Sequence, residues 1–144
     1  MTLILSFGEL LSVGQAVSKY PLISQRMRQL AGLLIQLRET ANMPHASLQS
    51  FLKPECSDTV IKAVLVVAKF EESAGNATAR LSVPSLALKI GHSLRKCSTL
   101  LVNKALREKD EALEREAQSF VRLLDSESQH RVSSIALRTM KDDK

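Results

Sequence analysis

The apolar residues Ile23, Met27, Leu30, Leu34, Leu37 and Ala41 recur at intervals of four and three, the stripe that one face of a helix turns toward a core. This spacing predicts a helix over 22–41, ended by Asn42, Met43 and Pro44. A short turn is expected around Ser47 to Leu52, and Pro54 stands where a first helical position welcomes proline, because the missing N–H would have no partner there anyway. The next helix, over 55–71, carries Val60, Ile61, Ala63, Val64, Leu65, Val66, Val67, Ala68 and Phe70, which leaves only Asp58, Lys62 and Lys69 for water. It is expected to be the central helix. Its β-branched content would also suit a buried strand, but a run of this length bounded by Lys and Glu favours helix. Residues 73–79, rich in Ala, Gly, Asn, Thr and Ser, read as a flexible loop.

From Ser85 onward the chain holds no proline and one glycine, Gly91, so long helices follow. With about 100° per residue, Ala87, Ile90, Leu94, Cys97, Leu101 and Ala105 share one arc, the core face. Lys89, His92, Lys96, Thr99, Asn103 and Arg107 share the opposite arc, which makes the solvent face of this 84–107 helix basic. Leu113, Ala117, Phe120 and Leu124 form the next stripe, over 108–127. Val132, Ile135, Ala136 and Met140 form a further one after Ser126 to Gln129, where a break or kink is expected. The fold class that follows is all-α: about five helices in a single orthogonal or bundle-like domain spanning 1–144. Within it, 1–20 is an apolar N-terminal segment whose packing the pattern leaves open, and 84–144 is a long hairpin-like region.

Composition supports this picture. The chain has 144 residues, 44% of them apolar, enough to bury roughly two thirds of the surface exposed when unfolded. Aromatic residues are few and tryptophan is absent, which disfavours a sandwich or barrel. Five glycines without a G-x-G-x-x-G or G-x-x-x-x-G-K-[ST] pattern provide no backbone cradle for a nucleotide phosphate. Cys56 and Cys97 lack C-x-x-C spacing, and a reduced, intracellular chain, nuclear or cytoplasmic, is expected. The apolar start is interrupted by Glu9 and preceded by no basic residue, unlike a signal peptide. No stretch reaches the roughly 18 uncharged apolar residues of a membrane helix. The Asn76-Ala77-Thr78 acceptor pattern is read as chance.

Charge is unevenly distributed. Residues 1–52 carry +2 and 53–83 are neutral; 84–107 carry +5 through Lys89, Arg95, Lys96, Lys104 and Arg107 with no acid; 108–127 carry −4, and 128–144 carry +2. Those five basic residues are the candidate contact site for nucleic acid or an acidic partner. If the acidic segment folds back as a helical hairpin, Glu111, Glu114 and their neighbours would instead neutralise the basic field internally.

Catalytic patterns are missing. His45, His92 and His130 lie on separate segments without a second histidine or cysteine at metal-ligand spacing. Cys97 is placed on an apolar face, as a small buried hydrophobe rather than a nucleophile. Glu111, Glu114 and Glu116 sit on a polar face as solvating charges. Phe70 and Phe120 belong to core stripes and leave only Tyr20 among polar residues, which disfavours base stacking. No enzyme activity, cofactor, metal or small-molecule substrate is expected.

Four segments carry a resemblance: Gln25 to Ala31, Phe51-Leu52-Lys53-Pro54-Glu55, Ser85 to Leu94, and Val132 to Leu137. Together, over about 20–141, they are similar to a large family of uncharacterised fish proteins. Several of those proteins carry cysteine- and histidine-rich, zinc-finger-like segments upstream, which this chain lacks. In the relatives a tryptophan tends to follow the acidic residues near Glu127, whereas Ser128 stands here, and their chains continue past the position of Lys144, so a fragment or divergent copy is expected. The helical middle also resembles the DNA-embracing helical domain of tyrosine recombinases from mobile elements, an analogy of fold alone. The recombinase catalytic set needs a tyrosine among arginines and histidines late in a larger domain, and Tyr20 is the sole tyrosine, so no catalytic residue transfers. Two functions are therefore expected: a non-enzymatic helical module docking a protein partner, or a mobile-element-derived nucleic-acid-binding domain contacting phosphates through the 84–107 helix.

Overall fold

The computed structural model describes residues 2–16, 19–73 and 83–142, and of these the side chains of all but 70–73, 83–84 and 128–142. Five helices and no strand occur among them: α1 (Thr2–Ser12), α2 (Tyr20–Ala41), α3 (Ser57–Ser73), α4 (Val83–Glu108) and α5 (Glu111–Asp142). Two short 3-10 turns, Leu48–Phe51 and Pro54–Cys56, join α2 to α3. The protein is all-α.

Local chemistry sets the helix ends. Pro21 lies in the first turn of α2, and Asn42 ends that helix in the left-handed conformation with φ 55°, while the Met43 N–H reaches back to the Arg38 carbonyl at 2.9 Å. Arg38 Nε also donates to the Ala46 carbonyl at 2.7 Å, folding the following turn against the helix end. The α4–α5 reversal repeats the device. Lys109 takes φ 57°, the Asp110 N–H donates to the Ala105 carbonyl at 2.9 Å, and the Asp110 carboxylate then accepts from the Leu113 N–H at 3.1 Å. Asp110 thus closes one helix and caps the next.

The buried face of α4 contains the whole expected arc, Ala87, Ile90, Leu94, Cys97, Leu101 and Ala105, and widens to include Leu86, Ser93 and Ser98. Val60, Ile61, Ala63, Val64 and Ala68 of α3, Leu30, Leu33, Leu34 and Leu37 of α2, and Ala117, Phe120 and Leu124 of α5 complete one continuous core. The apolar N-terminal segment, left open by its pattern, forms α1 and adds Ile4 and Phe7 to that core. Gly8 lets α1 approach α2 closely, since a Cβ there would lie 2.4 Å from the Met27 sulfur.

Two expectations are corrected. The central helix is α4, which packs against all four others, whereas α3 leaves Val66 nearly half exposed. A count of β-branched residues measures apolar content, not the number of neighbours. Nor does a break occur at 126–129: α5 continues to Asp142, because Ser126, Glu127, Ser128 and Gln129 can all occupy a solvated helix turn and none is glycine or proline. The loop expected at 73–79 falls outside the described residues apart from Ser73, the last residue of α3. The side chains of the Val132 to Met140 stripe and of Phe70 lie outside them too.

Candidate interaction surfaces

The five basic residues of α4 stand in different surroundings. Arg95 points toward α5 and pairs with Asp125, both side chains about half exposed. It is the only α4 cation in an ion pair with a described residue. Glu111 and Glu114 make no pair with α4. Lys89 is exposed and Lys96 partly so, with the exposed His92 on the turn between them. His92 is held below the ordinary imidazole value first by desolvation, then by Lys96, Arg95 and Arg26. Arg26 belongs to α2, so a second helix extends this basic face. Sequence reading missed Arg26 because its periodicity places it on α2 without saying which face of α4 lies alongside.

Lys104 and Arg107 are also exposed, but they stand in a different setting. Together with Leu100 and Leu101 they wall a cleft of about 440 Å³, whose other side comes from Thr2, Leu3 and Ser6 of α1 and from Ser47, Leu48 and Gln49. No carboxylate of the described residues lines it. A second groove, of about 610 Å³, runs between α1 and the start of α2. Ile23 and Met27 form its buried and half-buried base, Leu5, Val13 and Tyr20 its exposed sides, and Glu9 is the one charged residue among the described residues that line it. Leu10 and Leu22 are exposed on the same two helices. Neither groove could be read from single-helix periodicity, since each is assembled from segments distant in sequence.

The thiols are not activated. Burial pushes Cys97 up to about 12, and desolvation, with Glu55 adding to it and Lys53 opposing it, raises Cys56. Among the described residues no three His, Cys, Asp or Glu side chains gather as a metal site, and no helix is long and apolar enough to cross a membrane. His45 is exposed. Comparison with family models, with curated proteins and with solved structures finds no match to this chain.

Proposed function

We propose that the chain is a non-enzymatic helical interaction module that docks a protein partner through the α1–α2 groove. The observation that carries this reading is the concentration of exposed apolar side chains there: Leu5, Val13 and Tyr20 in the groove, with Leu10 and Leu22 on the same helices. Apolar surface gathered around a concavity with a polar rim is what a docking site requires. The fitting partner is an amphipathic helix whose apolar stripe enters the groove and whose basic residue meets Glu9. Selection from a displayed library of helical peptides tests this. Amphipathic binders with a cation beside the apolar stripe should emerge, and Val13→Asp should abolish their binding while Lys96→Glu leaves it intact. Binders indifferent to Val13→Asp would refute the reading.

A second reading, nucleic-acid binding by a mobile-element-derived domain, is supported by the exposure of Lys89 and Arg107 and the partial exposure of Lys96 beside an α5 whose described side chains pair with Arg95 alone on α4. These three lie along one line of α4 that extends about 27 Å at 1.5 Å per residue. Phosphate contacts position a protein without reading bases. Lys96→Glu with Arg107→Glu should therefore weaken duplex binding equally across unrelated sequences. The slope of log affinity against log salt should become shallower by about two. Fluorescence anisotropy at several salt concentrations measures both, and an unchanged slope would reject this face as the contact.

A further inference from the structure

We propose that the cleft closed by Lys104 and Arg107 binds a phosphate monoester carried on a small apolar body. The two cations are three residues apart on α4, so they are neighbours on one helix surface, about 5–6 Å between Cβ atoms. Neither forms an ion pair with any described residue, and no described carboxylate lines the cleft to compete for them. A monoester carries close to two negative charges at neutral pH and three acceptor oxygens. The arginine fork can take two of those oxygens while lysine supplies a compact point charge. Across the cleft, the Thr2 and Ser6 hydroxyls and the Gln49 amide offer further donors. Ser47 and Ser50 hydrogen-bond each other through their hydroxyls at 3.0 Å, which leaves that pair one unused proton.

The floor separates this cleft from an ordinary basic patch. Its open apolar surface comes from Leu3 and Leu100, both half-buried, backed by the almost fully buried Leu48 and Leu101. A bare anion would gain nothing from that apolar base, whereas the organic part of an ester would cover it. The volume, about 440 Å³, lies within the range of small-molecule sites. Among the described residues no thiol, histidine or carboxylate lines the cleft, and the proposed role is binding. This site is independent of the α1–α2 groove and shares only Arg107 with the basic line of α4.

Amide chemical-shift titration of the whole chain with phenyl phosphate, inorganic phosphate and phenol tests the proposal. Phenyl phosphate should saturate, with the largest shifts over 2–6, 47–49 and 100–107, and bind more tightly than either of the other two. Lys104→Ala with Arg107→Ala should weaken binding by about tenfold for each charged side chain removed, with the far-ultraviolet circular dichroism unchanged. Lys89→Ala with Lys96→Ala should have no effect. Absence of saturable binding would overturn the proposal, and so would equal shifts along 89–96, equal affinity for phenol, or parental affinity in the Lys104/Arg107 variant. A short duplex with and without a 5′-phosphate identifies the source. Displacement of phenyl phosphate by the phosphorylated duplex alone supports the site with a strand end as its ligand, and displacement by neither supports it with a free small molecule. Equal displacement by both would show that the cleft does not select monoesters and would refute it.

Discussion

The α1–α2 pair and the α4–α5 pair are both helices packed face to face, yet they are held by different means. Between α1 and α2 the hold is apolar: Phe7 and Ile4 enter the core, and Gly8 admits the Met27 thioether. Between α4 and α5 the same core contact, through Ala117, Phe120 and Leu124, is joined by a two-residue reversal at Lys109 and Asp110 and by the Arg95–Asp125 pair. The outward sides differ in what they gather: Leu5, Leu10, Tyr20 and Leu22 lie exposed on the first pair, whereas the second exposes Lys89, Lys104 and Arg107 along with Leu88 and Leu106. Burial accounts for the inner faces of both pairs. Both proposed macromolecular contacts lie on outer faces.

The sharpest way to break the comparison is to remove one core side chain from each pair. Leu94 of α4 is fully buried in the helix that touches all others, and Leu94→Ala should cost about 2–5 kcal/mol in a denaturant titration. Phe7 is equally buried, but α1 has only 11 residues and is too short to persist unless it stays docked. Phe7→Ala should therefore be limited by the undocking of α1. Hydrogen exchange should accelerate over 2–12 while protection of 85–108 is kept. Global loss of protection in Phe7→Ala would show that the two pairs form one cooperative unit without a weaker end.

Next in size is the thiol buried on α4. Cys97 keeps its proton up to about 12 in the folded chain, against an ordinary value of 9.0. Unfolding frees the thiol to ionise, so folding stability is fully present below pH 9 and falls as pH rises toward 12. At pH 10 the loss relative to pH 8 should be about 1.4 kcal/mol. Cys97→Ala should remove that part of the pH dependence, and the difference between the two profiles isolates it from other titrating groups. Native Cys97 should also resist a bulky thiol reagent; rapid labelling would contradict its burial.

A smaller effect belongs to the reversal itself. Asp110 caps α5 and follows a left-handed Lys109, so Asp110→Ala should cost about 1 kcal/mol. No counterpart is expected at the start of α2, where Lys19 precedes the helix without a side-chain cap, so Lys19→Ala should leave thermal stability unchanged. Equal losses at the two positions would remove the distinction between a capped and an uncapped pair.

Much of the inner architecture was legible because a helix repeats its burial every three or four residues. Ile23, Leu30, Leu34 and Leu37, and the whole arc from Ala87 to Ala105, are buried where that repeat puts them. The repeat carries no information about neighbouring elements. It could not show that Val66 faces outward, that Arg26 joins His92 and Lys96, or that Lys104 and Arg107 face α1. The polar stretch from Ser126 to Gln129 misled for a related reason: polarity marks a solvated turn as readily as a helix end. Charge summed by segment had the same weakness. It anticipated that α5 could neutralise α4, and the packing brings one carboxylate, Asp125, onto one cation.

That single pair gives the smallest effect and the most direct measure of how far charge holds α4 to α5. Arg95 and Asp125 are about half exposed, so water and salt screen their attraction, and fixing two side chains costs entropy. A double-mutant cycle with Arg95→Ala and Asp125→Ala should return a coupling of about 0.2–1 kcal/mol, shrinking as salt rises. The core contacts of Phe120 and Leu124 should hold the hairpin in every corner of the cycle. A coupling well above that range, or one insensitive to salt, would mean that the pair is shielded from water and that α4 and α5 are held by charge as much as by their core. In that event Asp125→Ala would also loosen the hairpin enough to expose its amides to exchange.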